Sequence, residues 1–255
     1  MTKTVFENTS ILGVRVDLVS LEELIEYILL TVRDQRKAVI AYVNVHAVNT
    51  ACELGWFKDF INQSQVVFCD GFGVKWAVNF LNGKLVQRFT PPDWFGRLAG
   101  ECVGEGISMY FLGTRQEVVE KAAEVLKESH PRLMIAGVHH GFFNKEQTSA
   151  ENQEVVGEIN ALRPNILVVG FGMPAQEKWI LENLDQLQVN VVIPVGAFFD
   201  YQAGAVVRAP RWMTDHGLEW LGRLLIEPRR LGKRYLLENP LFIWRVLLQK
   251  IKKQA

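Results

Sequence analysis

The chain has 255 residues, 49% of them hydrophobic and 22% charged, enough to bury one sizeable core and add a short second unit. Its formal net charge of zero conceals an asymmetry: residues 208–255 carry eleven Lys and Arg against four Asp and Glu, so a −7 body precedes a +7 tail. Three cysteines without C-x-x-C spacing exclude a disulfide framework and a zinc site, and no run approaches the ~18 apolar residues of a membrane span. The first ten residues, MTKTVFENTS, lack the apolar stretch of a signal peptide, so a cytoplasmic chain is expected.

In chain order, ILGVRVD (11–17) reads as a strand, followed by a helix opened by Ser20 with Glu23 at capping-box spacing. Six apolar runs then alternate with helical patterns: AVIAYV (38–43), VVFC (66–69), ISMYFLG (107–113), LMIAGV (133–138), NILVVGFG (165–172) and NVVIPVG (190–196). Continuous apolar strands separated by helices predict a parallel sheet covered on both faces, hence a doubly wound, Rossmann-like α/β domain over residues 1–207. Residues 208–255 form a helical, basic, amphipathic appendage. Its last helix is expected to start with Asn239 as cap and Pro240 in the first turn. That places Leu241, Trp244, Leu248 and Ile251 on one stripe, with Arg245, Gln249, Lys252 and Lys253 projecting elsewhere.

Ligands of such sheets bind beyond the carboxyl ends of the strands. The residues there are Asn44, His46 and Asn49; Asp70-Gly71-Phe72-Gly73; Gly113-Thr114-Arg115; His139, His140 and Gly141; Gly172 to Glu177; and Gly196 to Asp200. Glycines at strand ends admit a ligand close to the backbone and the following helix N-termini offer amides, which suits a phosphorylated or nucleotide ligand. Asp70 stands out: it is either an exposed carboxylate at the ligand edge or the N-cap of the next helix. Thr114 and Arg115 could cap a helix or bind phosphate, Asp93 reads as a helix cap after two prolines, and Gln176 and Glu177 suit a first helical turn. No acid or thiol stands at ligand spacing from His46, His139 or His140, which makes them structural or substrate contacts rather than metal ligands.

The segment Gly170-Phe171-Gly172-Met173-Pro174-Ala175 supplies only two glycines of a dinucleotide fingerprint and follows the fifth main strand rather than the first. A Walker loop, a G-x-S-x-G elbow, H-E-x-x-H and a D-x-D pair are absent, so chemistry without metal or cofactor is expected. In the tail, Trp212, Trp220 and Trp244 accompany Arg208, Arg211, Arg223, Arg229, Arg230 and Arg234. Such a tail is either a solvated helical hairpin or a surface for lipid headgroups, and arginine's planar fork favours diphosphate.

Asn44 within YVNVH, DGFGV (70–74), FLGTR (111–115), GVHHGFF (137–143), GFGMPAQEKW (170–179), GAFFDYQAG (196–204), RAPRW (208–212), GLEW (217–220) and EPRRLGKRY (227–235) occur together in the order found in the WecG/TagA/CpsF glycosyltransferases, which the chain resembles from its first strand to Tyr235. The resemblance implies an inverting, metal-independent transfer of a hexose, often of N-acetylmannosamine type, from a UDP-sugar to an undecaprenyl-diphosphate-linked saccharide in bacterial surface-polymer assembly, such as teichoic acid or exopolysaccharide. By the same resemblance Asp70 is the general base, Asn44 and Gln176 lie near the donor sugar and in the second ligand-facing loop, and Arg223, Arg230 and Arg234 neutralise the leaving diphosphate. Tyr42 departs from the family's usual Thr, and Pro91-Pro92 from its usual Gly before the acid of the next loop. Tyr42, His46, Gly71, Gly113, Thr114, Arg115 and Gly172 complete the expected donor and acceptor contacts. The expected partners are the UDP-sugar, the polyprenyl-diphosphate acceptor and an anionic membrane face on the cytoplasmic side, with a homo-oligomer contact as another home for the tail, and no nucleic acid. The competing readings are a nicotinamide-dependent oxidoreductase, which leaves the tail unexplained, and a peripheral membrane adaptor, which leaves the strand-end residues idle.

Overall fold

The computed structural model describes residues 6–210, 212–213, 219–226 and 228–254. The chain opens with an antiparallel hairpin, β1 (Asn8–Ile11) and β2 (Val14–Asp17). This corrects the expectation of a single strand over 11–17. Leu12 and Gly13 both take positive φ, 53° and 79°, the pair of left-handed residues that a tight hairpin turn needs, so the run folds back on itself. Helix α1 (Leu21–Arg33) starts as predicted: Ser20 Oγ accepts from Glu23 N, and the Glu23 carboxylate accepts from Ser20 N at 2.8 Å.

The main sheet has six parallel strands, β3 (Ala38–Val43), β4 (Val66–Cys69), β5 (Ser108–Gly113), β6 (Met134–His139), β7 (Ile166–Gly170) and β8 (Val191–Pro194), in the order β4-β3-β8-β7-β5-β6. Each lies largely within one of the six apolar runs, and the α/β class is as expected. Alternation along β3 shows why the runs are continuous. Val39, Ala41 and Val43 enter one core with α2 (Val45–Glu53), α3 (Gly55–Gln63) and α4 (Phe72–Asn82), while Ala38, Ile40 and Tyr42 enter the other with α1 and α5 (Pro91–Glu105). With both faces covered, neither set of alternate residues can be polar. The edge of β4 is closed by the hairpin, where the buried Asp17 carboxylate accepts from Val67 N at 2.7 Å.

The remaining helices are α6 (Gln116–Ser129), α7 (Ala150–Leu162), α8 (Ala175–Asn183), α9 (Phe198–Gln202), α10 (Glu219–Ile226) and α11 (Pro228–Gln254). α11 continues through Pro240, which corrects the expected start at Asn239. Proline's fixed φ is helical, and what it removes is the hydrogen bond to the carbonyl of residue 236, a position on an exposed turn. Contacts on both sides of the proline hold the helix: before it, Asn49 Nδ2 donates to Glu238 O at 2.8 Å. Phe242 and Val246 are fully buried in the core with α2 and α4, Arg245 Nη1 donates to Asn49 Oδ1 at 2.9 Å, and Gln249 Oε1 accepts from Leu12 N at 2.9 Å. On its side toward the protein, α11 thus carries Phe242 and Val246 together with Arg245 and Gln249. Its stripe of Leu241, Trp244, Leu248 and Ile251 is the side left to solvent.

Candidate active site

β3 and β8 are neighbours, yet α2, which follows β3, packs in one core and α9, which follows β8, in the other. The two chains diverge at the carboxyl ends and open a crevice, the topological position at which doubly wound sheets bind ligands. A cavity of about 880 Å³ occupies it. Strand-end residues Tyr42, Asn44, Asp70, Gly172 and Gly196 line one side, and Trp220, Tyr235, Glu238 and Ile243 of α10 and α11 line another.

Asp70 follows β4 and extends its pairing, with Asp70 N donating to Val43 O at 2.9 Å. The N-cap of α4 is Gly71 and no side chain caps that helix, so of the two roles open to Asp70 the cap is not the one it takes. Its carboxylate instead accepts from Asn44 Nδ2 at 3.0 Å, while Asn44 Oδ1 accepts from Ala47 N at 3.0 Å and caps α2. Glycines make this approach feasible: a Cβ at Gly71 would lie 3.2 Å from Asn44 Cβ, and one at Gly73 would strike Val45 Cγ2 at 2.4 Å.

Beneath the cavity, Gln176 is wholly buried and uses its whole amide. Nε2 donates to Tyr42 Oη at 3.3 Å and to Glu177 Oε1 at 2.7 Å, and Oε1 accepts from Gly196 N at 3.0 Å. Gln176 thus supports two residues that line the cavity without lining it itself. Glu177 is also fully buried, and burial pushes its carboxyl up to about 7.

With this geometry established, the chain matches the glycosyl transferase WecG/TagA/CpsF family over residues 9–255. The chain belongs to that family. Among its relatives are Staphylococcus aureus proteins named N-acetylglucosaminyldiphosphoundecaprenol N-acetyl-beta-D-mannosaminyltransferase. The one from strain NCTC 8325 / PS 47 is 31% identical over 248 residues, covering 95% of this chain and 93% of that protein. Those from strains MW2 and MRSA252 are 30% identical with the same coverage. The expected family and enzyme class are thereby shown, and the protein is a glycosyltransferase.

In this glycosyltransferase, Tyr42, Asn44, His46, Asp70, Gly71 and Gly172 come together around the cavity. His46 Nδ1 lies 2.7 Å from Glu238 Oε2, which ties the start of α2 to α11. Gly113, Thr114 and Arg115 lie further along the sheet edge and do not line it. A Cβ at Gly113 would come within 2.4 Å of Gly170 O, so glycine there serves strand packing; Thr114 Oγ1 donates to Asp200 Oδ1 at 2.8 Å, and Arg115 is the N-cap residue of α6. Arg223, Arg230 and Arg234 belong to α10 and α11, but their side chains lie outside the described residues, as does Arg211. Asp93 is not the cap of α5: two prolines occupy the first two positions, so the cap falls on Thr90 and Asp93 stands in the first turn. Burial alone would raise its carboxyl, but Arg208, Thr90 and Arg88 outweigh burial and hold it below its ordinary value. Arg208 Nη1 reaches Asp93 Oδ1 at 2.6 Å and so fastens the start of the tail to α5. Among the described residues, no three His, Cys, Asp or Glu side chains converge as a metal site.

Among the lining residues that sequence reasoning did not single out are Trp76, Arg88 and Glu238. Trp76 was accessible, since it lies four residues after Phe72 on the helix that follows Asp70. Arg88 carried no local signal, because it reaches the cavity through a bridge between its segment and Cys69.

Proposed function

We propose that this glycosyltransferase is inverting and metal-independent, and that it moves a hexose of N-acetylmannosamine type from a UDP-sugar to a saccharide carried on undecaprenyl diphosphate, at the cytoplasmic face of the membrane, for a bacterial surface polymer. The observation that carries this reading is the Asp70 carboxylate, oriented by Asn44 on a cavity whose other wall is formed by α10 and α11. The names of the S. aureus relatives supply the sugar and the acceptor.

In this mechanism the acceptor hydroxyl binds against Asp70. As its oxygen attacks the anomeric carbon from the side opposite UDP, the proton passes to the Asp70 carboxylate, and the bond to the diphosphate breaks with its electron pair leaving on UDP. The Asn44 amide fixes the rotation of the carboxylate and steadies its charge until the proton arrives. Arg223, Arg230 and Arg234, on the two helices that wall the cavity, neutralise the departing diphosphate in place of a metal ion. Tyr42, His46, Gly71 and Gly172 contact the sugars, with Gln176 holding Tyr42 in place. Gly113, Thr114 and Arg115 extend the donor site along the sheet edge. Among the described residues no helix is long and apolar enough to cross a membrane; attachment through the exposed stripe and the basic charge of the tail is the reading we favour.

The test incubates purified protein with UDP-N-acetylmannosamine, UDP-N-acetylglucosamine or UDP-glucose and undecaprenyl-diphosphate N-acetylglucosamine, with and without EDTA, reading product mass and anomeric configuration. Transfer with inversion, insensitive to EDTA, is expected. Failure with every donor would overturn the reading, and a strict divalent-metal requirement would overturn the arginine assignment.

A further inference from the structure

Beside the catalytic cavity lies a second depression of about 330 Å³, lined by Phe72, Lys75, Trp76, Asn79, Leu85 and Val86. Phe72 and Trp76 line both, so the two spaces adjoin along one side of α4. Phe72, Lys75, Trp76 and Asn79 stand at i, i+3, i+4 and i+7, a single helix face.

The chemistry along this face changes in a definite order. At the inner end is Asp70. Next comes the Phe72 ring with two cations about it, the Arg88 guanidinium at 4.6 Å and Lys75 Nζ at 5.9 Å from its centroid. Outermost are Trp76 and Leu85, 41% and 79% exposed, with Trp76 braced by stacking on Phe80 at 5.2 Å between ring centroids. Large apolar side chains placed side by side at the rim of a cavity mark a binding surface. Base, cations and apolar trough follow one another as do the hydroxyl-bearing sugar, the diphosphate and the hydrocarbon of a lipid-linked saccharide.

We infer that the trough formed by Trp76, Leu85 and Val86 receives the first isoprene units of the acceptor's polyprenyl chain, with Lys75 and Arg88 facing its diphosphate. The inference rests on the acceptor assignment made above and adds to it where the lipid lies. The two lining residues shared with the catalytic cavity and the position of the cations favour this occupant over a second copy of the chain, which would not need cations set between base and trough. Ile243 of α11 lines the same cavity as Trp76, so the trough leads toward the helix whose outer stripe is apolar.

The experiment compares two acceptors with the same diphosphate-linked N-acetylglucosamine, one on an undecaprenyl chain and one on a single isoprene unit, in detergent, with the wild type, Leu85→Asp and Lys75→Gln. Leu85 is exposed, so its replacement leaves the core intact, which a melting curve verifies. Leu85→Asp is expected to raise KM for the long-chain acceptor about tenfold relative to the short-chain one, while Lys75→Gln raises KM for both. Equal effects of Leu85→Asp on the two acceptors, or none, would overturn the trough, as would loss of a dimer with acceptor KM unchanged. A wild type active on neither acceptor would overturn the acceptor assignment, and the trough with it.

Discussion

Asn44 holds Asp70 with one end of its side-chain amide and helix α2 with the other, through Nδ2 to Asp70 Oδ2 at 3.0 Å and Oδ1 from Ala47 N at 3.0 Å. The proposed base is therefore oriented by a residue whose own rotation is fixed by a helix cap.

Substitutions separate the two tasks. Asn44→Asp keeps a good cap but sets a second carboxylate against Asp70, and like charges at this range raise the apparent pKa of the pair. The acidic limb of the kcat/KM profile is expected to move to higher pH with little change in melting temperature. Asn44→Ala loses cap and donor together and should cost about 1 kcal/mol of stability. Asp70→Asn should keep UDP affinity and lower turnover roughly 100-fold. A wild-type pH profile for Asn44→Asp would show that the contact does not bear on the base.

The six main strands were legible because a strand buried on both faces must be apolar throughout, and Asp70 was legible because it ends such a run. The hairpin was not, since Leu12 carries no turn signal and only the positive φ shared with Gly13 reveals the reversal. Pro240 misled for a physical reason: a local start signal yields to tertiary contacts on both sides of it, Asn49 Nδ2 donating to Glu238 O before it and the burial of Phe242 and Val246 after it. Arg88 and Glu238 reach the cavity only through tertiary contacts between segments distant in sequence.

Glu177 makes stability depend on pH in a predictable direction. Its carboxyl is raised from 4.5 to about 7 by burial, so between those values the folded protein holds a proton that the unfolded chain has released. Stability is thus fullest below pH 4.5, falls as pH rises to about 7, and is level above, a loss of about 3 kcal/mol from this group. Glu177→Gln removes the titration while leaving an oxygen to accept from Gln176. Urea unfolding at pH 5 and pH 8 should show the variant gaining on the wild type at the higher pH; an equal difference at both would remove Glu177 as the cause.

Gly73 sets how closely α4 approaches the start of α2. A Cβ there meets Val45 Cγ2 at 2.4 Å, so Gly73→Ala should destabilise by roughly 1–3 kcal/mol through overpacking. Val45→Ala removes the obstructing methyl, and the double variant should recover most of the loss that the alanine at 73 causes. A double-mutant cycle on melting data reads this directly, and simple additivity would mean that the contact is not the source of the strain.

The outer face of α11 gives the last prediction. Leu237, Trp244 and Ile251 stand seven residues apart, and each is 60% exposed or more, whereas Phe242 and Val246 on the other face are buried with α2 and α4. Deleting the tail would strip part of the core and confuse unfolding with detachment, so exposed positions are the better probe. Replacing Leu237, Trp244 and Ile251 by Ser should change stability by no more than about 0.5 kcal/mol per site, as exposed positions do. The same changes remove the apolar contribution to interfacial binding and leave only the screened attraction of the basic charge. Co-sedimentation with phosphatidylglycerol vesicles should fall steeply in the triple variant, and the residue of binding should vanish on adding salt. Unchanged co-sedimentation, together with a change in sedimentation velocity of the free protein, would assign this face to contact between copies of the chain instead.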